Sequence, residues 1–286
     1  MAASQAAATG EQFYVTHCAT ADSVTNSPGY GVRAATAADD PDALRHALEY
    51  PPYELPLEMW REKPTRARAP RRLARTRHPA GGVWVVHSVY LEKDTMNRDR
   101  SYFSHLLHLP AAEPAAVLES WDADDWAKDY APKATKVLGE GALPAGDAIS
   151  AETLATFLSE PFSGPTEVST TVCPARLQTS AAARRELVGR FLAAFLKVVE
   201  ERDAGGQRDR LFVHAEPGLV AMLLYAAVRV LPPALTENLA FSTFEPAHRG
   251  LRDFKLATVI GTYLGAAAKG LDGDLVSARG QFRLAL

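Results

Sequence analysis

The chain has 286 residues, 47% of them hydrophobic, and a formal net charge of -3 at pH 7. That length allows two cores, since domains run about 100 to 200 residues, and the charge lacks the broad basic excess of a dedicated nucleic-acid binder. Two distant cysteines, Cys18 and Cys173, exclude a disulfide-dense secreted scaffold and suit a cytoplasmic protein; no run reaches the roughly 18 apolar residues of a spanning helix.

The first ten residues, "MAASQAAATG", are small and polar without a signal-like apolar run, and are expected to form a disordered tail. Residues 13–20 and 30–36 suit short strands, joined by the loop "ADSVTNSPG". The acids and early proline of "DDPDALRHALEY" predict a helix start near Asp40, ending at Tyr50, Pro51 and Pro52. The segment Arg61 to His78 carries eight Lys or Arg against one Glu, and it precedes the β-branched and aromatic run Val83 to Glu92. Arg71, Arg72, Arg75 and Arg77 are therefore placed on a partner strand. Residues 102–109 read as a further strand. "ESWDADDWAKDY" reads as an acidic loop or short helix whose tryptophans dock on a core.

The Pro/Gly-rich stretch 132–164, interrupted by the helical "SAETLATFLSE", holds the expected domain boundary, with one domain over 11–145 and a second over 146–286. Beyond it, "TEVSTTV" predicts a strand, and Ser180 caps a long helix through Asp203 ended by Gly205 and Gly206. "RLFVHA", "GLVAMLLYAAVRVL", "NLAFSTF" and "KLATVIGT" then alternate strand, buried helix, strand and strand. The expected class is α+β: a mainly antiparallel, β-rich N-terminal domain, then an α/β domain with a partly parallel sheet and two long helices.

Chemical motifs are sparse. No GxxxxGK[ST] loop or GxSxG elbow occurs, and "SPGYG" opens a strand rather than a helix, so it reads as a turn. His17 and Cys18 are neighbours on a strand and project to opposite faces, so a Cys18 nucleophile would need a histidine from another strand: His87, His105 or His214. "HLLH", His105 to His108, lacks zincin spacing, and no metal or cofactor is expected. The arginines at 66, 68, 71, 72, 75 and 77 could hold phosphate or nucleic acid, with Trp84 as a stacking face, or pair with the acidic 119–129 segment.

Several short motifs together carry a resemblance: "FYVTHCAT", "PGYGVRAAT", "LEYPPYELP", "RDRSYFSHLLHLP" and "LLYAAVRVLPPALTENLAFSTFEP". They resemble the N-terminal and middle domains of the bacterial GTPase-associated protein 1 family. The Gly-aromatic-x-x-Arg pattern falls on Gly29, Tyr30 and Arg33, the Phe-x-His pattern on Phe103 and His105, and the Leu-Pro-Pro helix end on Leu231 to Pro233. The resemblance implies a non-catalytic adaptor whose partner is a small GTPase, or another component encoded nearby, in a signalling or conflict system. Members tend to be longer, so a short member or a piece of one is expected. Arg33 and His105, polar on strands expected to be buried, are the binding-site candidates beside Arg71, Arg72, Arg75 and Arg77.

Overall fold

The computed structural model describes residues 8–50, 52–78, 81–94, 97–130, 134–159, 172–203, 210–246, 258–263 and 282–285. The strands are β1 (Thr9–Cys18), β2 (Gly29–Ala35), β3 (Arg72–Arg77), β4 (Val83–Lys93), β5 (Asp99–Leu109), β6 (Gly141–Ala142), β7 (Leu211–His214), β8 (Phe241–Pro246), β9 (Val259–Tyr263) and β10 (Phe282–Ala285). The helices are α1 (Pro41–Ala47), α2 (Leu57–Glu62), α3 (Pro114–Glu119), α4 (Ala151–Leu158), α5 (Ala175–Gln178), α6 (Ala181–Asp203), α7 (Pro217–Val230) and α8 (Pro233–Thr236). This is an α+β protein.

Local chemistry accounts for most boundaries. Asp40 accepts from the amides of Asp42 and Ala43 at 2.9 and 3.1 Å, and Pro41 occupies the first helical position of α1. Ser150 and Thr153 form a reciprocal cap on α4, and Ser180 Oγ accepts from Ala183 N at the start of α6. Gly29, at φ +113°, turns the chain into β2 through a conformation closed to most side chains. The strand β1 begins at Thr9, inside the segment expected as tail, because Thr9 and Gly10 pair with Ala142 and Gly141 of β6. The predicted strand "TEVSTTV" lies outside the described residues apart from Val172, as do Gly205 and Gly206.

The strands form one sheet in the order β10-β7-β9-β8-β3-β4-β5-β1-β2, with β6 paired to β1. The β1–β5 half is antiparallel throughout; β8, β9, β7 and β10 run parallel to one another. Both faces of β4 are covered, so its residues alternate between cores: Val83 and Val85 join α3, α6 and α7, while Trp84 and Val86 join Phe13, Val32 and Leu44 of α1. α7 is apolar all round and buried from Gly218 to Ala227, as befits a helix enclosed by the sheet, α3 and α6. Its Tyr225 hydroxyl donates to Glu119 Oε1 of α3 at 2.7 Å. At the β8–β9 bulge a Cβ on Gly261 would lie 2.1 Å from the Thr243 carbonyl oxygen, so that close approach requires glycine.

The two halves meet where β3 pairs antiparallel with β8, through Ala74 with Ser242 and Arg75 with Phe241. Leu73 N donates to Thr243 Oγ1 at 2.9 Å. Arg72 is 1% exposed; its Nε lies 2.7 Å from Glu245 Oε1, and its Nη1 donates to the Tyr50 carbonyl at 2.8 Å. Ser242 Oγ donates to the same Glu245 oxygen at 2.7 Å. Replacing Arg72 with Ala leaves a carboxylate uncompensated in a dry junction, and urea denaturation is expected to show a loss of about 3–5 kcal/mol. The double variant Arg72→Met with Glu245→Leu is expected to lose clearly less, because neither charge remains.

Candidate functional site

The sequence-predicted residues do not converge on one cleft. Arg33 of β2 is 2% exposed; its Nη1 donates to the Asp22 carbonyl at 2.5 Å and its Nη2 lies 3.2 Å from Asp22 Oδ1, while the guanidinium sits 5.2 Å from the centre of the Tyr130 ring. It fastens the loop after β1 to the sheet. His105 of β5 accepts from Ala127 N at Nδ1, 3.2 Å away, so its proton is on Nε2, which donates to Gln12 Oε1 at 3.0 Å. Tyr14 and Trp126 present their edges to its ring at 4.9 and 5.1 Å.

The arginines divide according to the faces of β3. Arg72 and Arg75, an odd number of residues apart, point to opposite sides of the sheet. Arg72 serves the ion pair with Glu245. Arg75 donates to three carbonyls, Ala112, Leu239 and Glu237, at 2.9, 2.5 and 3.2 Å, and burial, reinforced by Arg77, pulls its guanidinium down to about 10. Arg71 is ion-paired with Asp122, and Arg66 donates to the Lys128 carbonyl, so the acidic segment does lie across the basic one. Arg77 is exposed at the end of β3. Of the six arginines from Arg66 to Arg77, five are thus hydrogen-bonded or ion-paired within the fold, Arg68 with Glu62 among them.

Cys18 is 1% exposed, and its Sγ–H points to the carbonyls of Thr16 and Gly31 at 3.4 and 3.8 Å. Burial pushes the thiol up to about 11, against the weaker opposing pull of Arg33. Among the described residues its hydrogen-bond partners are those two carbonyls, and the charged groups acting on it are Arg33, Asp22 and Lys136 rather than a histidine. Iodoacetamide at neutral pH is expected to label Cys18 at least about 100-fold more slowly in the native protein than in the unfolded chain, measured by mass spectrometry of the tryptic peptide.

His87, which faces His105 across β4 and β5, is 1% exposed and stacks on Trp126 at 5.1 Å. Neither ring nitrogen has a hydrogen-bond partner among the described residues, and burial holds its imidazole well below the ordinary range, with His105 and Arg71 adding to that. Among the described residues no group of three or more His, Cys, Asp or Glu side chains is arranged to hold a metal ion, and no helix is long and apolar enough to cross a membrane.

The concave feature that the sequence reading missed lies at the other end of β4 and β5. A cavity of about 310 Å³ is walled by Tyr30 of β2, Tyr53, Trp60 of α2, Tyr90 and Tyr102. Tyr90 and Tyr102 are cross-strand partners; Tyr102 stacks on Tyr30 with centroids 4.6 Å apart and planes 8° off parallel. The Tyr53 hydroxyl donates to the Pro70 carbonyl at 2.5 Å, which fixes that wall. Glu54 and Ser101 supply the polar lining. The clue was "YPPYELP", whose Tyr53 and Leu55 pack beside Tyr90 and Tyr102.

A continuous mixed sheet with its helices gathered mainly on one face defines the molecule as an α+β protein of two sequence modules. The family description "GTPase-associated protein 1, N-terminal domain type 2" matches residues 9–146, and "GTPase-associated protein 1, middle domain" matches residues 153–277. The chain belongs to the GTPase-associated protein 1 family. No curated protein matches it.

The buried histidines make stability pH-dependent. Burial pushes His105 down to about 3, from the ordinary 6.5 it regains on unfolding. The folded chain therefore binds fewer protons than the unfolded one: this contribution is complete above pH 6.5 and is lost as the pH falls toward 3, by about 1.4 kcal/mol per pH unit. Urea unfolding between about pH 5.5 and pH 4 should show His105→Gln with a slope shallower than that of the natural protein by up to about 1.4 kcal/mol per pH unit.

Proposed function

We propose that the protein is a non-catalytic binding or adaptor module of a GTPase-linked bacterial signalling or conflict system, acting in the cytoplasm with a small GTPase, or another component encoded nearby, as its partner. The observation that carries this reading is the succession of two GTPase-associated modules over residues 9–146 and 153–277. The use of the reactive side chains supports it. Cys18 is a protonated, buried thiol, His105 is hydrogen-bonded on both ring nitrogens, and Arg33, Arg72 and Arg75 are spent on carbonyls and carboxylates of the fold. Such residues hold a scaffold rather than turn over a substrate.

The continuous sheet gives an adaptor a rigid body. Because β3 and β8 share ladder hydrogen bonds, the surfaces contributed by both modules keep a constant relation, which lowers the conformational cost of docking a partner across them.

The test is capture of the GTPase encoded beside this gene by the immobilised protein, with the GTPase loaded with GDP or with a non-hydrolysable GTP analogue. Capture of one loaded form at least about tenfold better than the other is the expected result, since an adaptor that reads nucleotide state must bind the two states with different affinity. Failure to capture either form overturns the reading.

A further inference from the structure

Three half-buried histidines from three different elements meet at one corner of the sheet: His46 of α1, His78 at the start of the β3–β4 turn and His108 near the end of β5. The ring of His78 stands between the other two and meets each edge to face, with centroids 4.6 Å from His46 and 5.5 Å from His108. His108 in turn stacks on the buried Trp84 at 4.7 Å, with the planes 16° apart. A chain of rings thus runs from the helix across the turn to the sheet.

These contacts tie down parts that local bonding holds weakly. α1 spans seven residues, too few for an isolated helix to be stable, and it keeps its place by burying Leu44 and Ala47 against Phe13, Val32 and Trp84. The turn is closed by Gly81 N donating to the His78 carbonyl at 3.0 Å and His78 N donating to the Gly82 carbonyl at 3.1 Å. Carboxylates sit at both outer rings: Glu49 Oε1 lies 3.3 Å from His46 Nδ1, and Glu11 Oε2 of β1 lies 3.2 Å from His108 Nδ1. His108 Nε2 faces the Gly81 carbonyl at 3.2 Å, so both nitrogens of that ring face oxygen acceptors, an arrangement that only an imidazolium satisfies in full. Of the neighbouring cations, Arg45 of α1 is turned to Asp42 and Glu49 at 3.0 and 3.8 Å, and Arg77 is exposed at the end of β3. β4 brings Val83 and Trp84, which carry no charge, and the two residues between His78 and Gly81 in the sequence are proline and alanine, which do not titrate.

We propose that His46, His78 and His108 form an acid-sensitive latch, in which an uncharged His78 holds α1 and the β3–β4 turn on the sheet and a proton on His78 lets α1 go. That proton places like charges at ring-contact distance from whichever outer ring is already charged, and the short helix yields more readily than the sheet. The direction follows from the surroundings of His78: burial, with His46 and His108 adding to it and Glu49 opposing, holds its imidazole below the ordinary 6.5. The folded chain therefore binds fewer protons there than the unfolded one, so the hold is complete above pH 6.5 and weakens as the pH falls below it. The latch stands on this cluster alone and is independent of the GTPase reading.

Amide hydrogen exchange of α1, read against α7, which carries no histidine, measures the hold directly. After correction for the intrinsic effect of pH on exchange, protection of the Leu44 to Leu48 amides is expected to fall at least about fivefold relative to α7 between about pH 7.5 and about pH 5.5. His78→Phe keeps a ring at the centre of the cluster without a titrating group, and should reduce that fall to less than about twofold. A second measurement separates electrostatics from packing: the NMR titration midpoint of the His78 Cε1 proton should rise in His46→Phe, which removes the neighbour whose charge most opposes that of His78. A smaller fall than fivefold in the natural protein, a fall of twofold or more in His78→Phe, or a midpoint unmoved or lowered in His46→Phe overturns the latch. The exchange comparison uses the natural protein, so the proposal stays falsifiable even where a variant misfolds.

Discussion

The junction of β3 with β8 is the constraint on which the architecture depends. β3 is a short strand with an arginine on each face, and it must complete both an antiparallel meander and a partly parallel sheet. A buried guanidinium is tolerated only when its donors are matched, and here each is matched differently. Arg72 meets a carboxylate, a serine hydroxyl and a carbonyl; Arg75 meets three carbonyls from the turn before α3 and from the chain leading into β8. The pairing of β3 with β8 spans only two register positions, so these side-chain contacts carry much of the specificity of the join.

The same device recurs in the second module. Arg184 of α6 is fully buried and donates to the carbonyls of Leu177, Gln178 and Ser159, as well as to Phe157, gathering the C-terminal ends of α4 and α5 against α6. Carbonyls at helix ends have no partner within the helix, and a forked donor satisfies several at once. Each buried arginine among the described residues thus acts as a fastener. That explains why a basic stretch suggestive of phosphate binding becomes, once folded, a set of internal ties, with Arg77 left in solvent.

The aromatic pocket is built where the β4–β5 hairpin projects past the main core and where the proline-rich link between α1 and α2 crosses it. Its rings are arranged by packing, and burial keeps the Tyr30 and Tyr53 hydroxyls protonated. The pocket adjoins the β3–β8 junction, since its wall residue Tyr53 packs on Phe244 of β8 and donates to the Pro70 carbonyl before β3.

Periodicity and punctuation carried most of the secondary structure in the sequence: Asp40 with Pro41, Ser180, the alternation of Val83 to Glu92 and the apolar run of α7 act on near neighbours, and their spacing is written along the chain. The α+β class and the family resemblance were legible for the same reason. The fate of polar residues was not. Arg72 and Ser242 are 170 positions apart, and nothing local to either announces the other. Whether Arg33, His105 or Cys18 is a tool or a tie depends on which partner burial brings within hydrogen-bond distance, and only the tertiary structure decides that. The pocket has the same origin: five aromatic residues scattered from Tyr30 to Tyr102 become one wall because strand register and the course of the Pro52–Leu55 segment place them together.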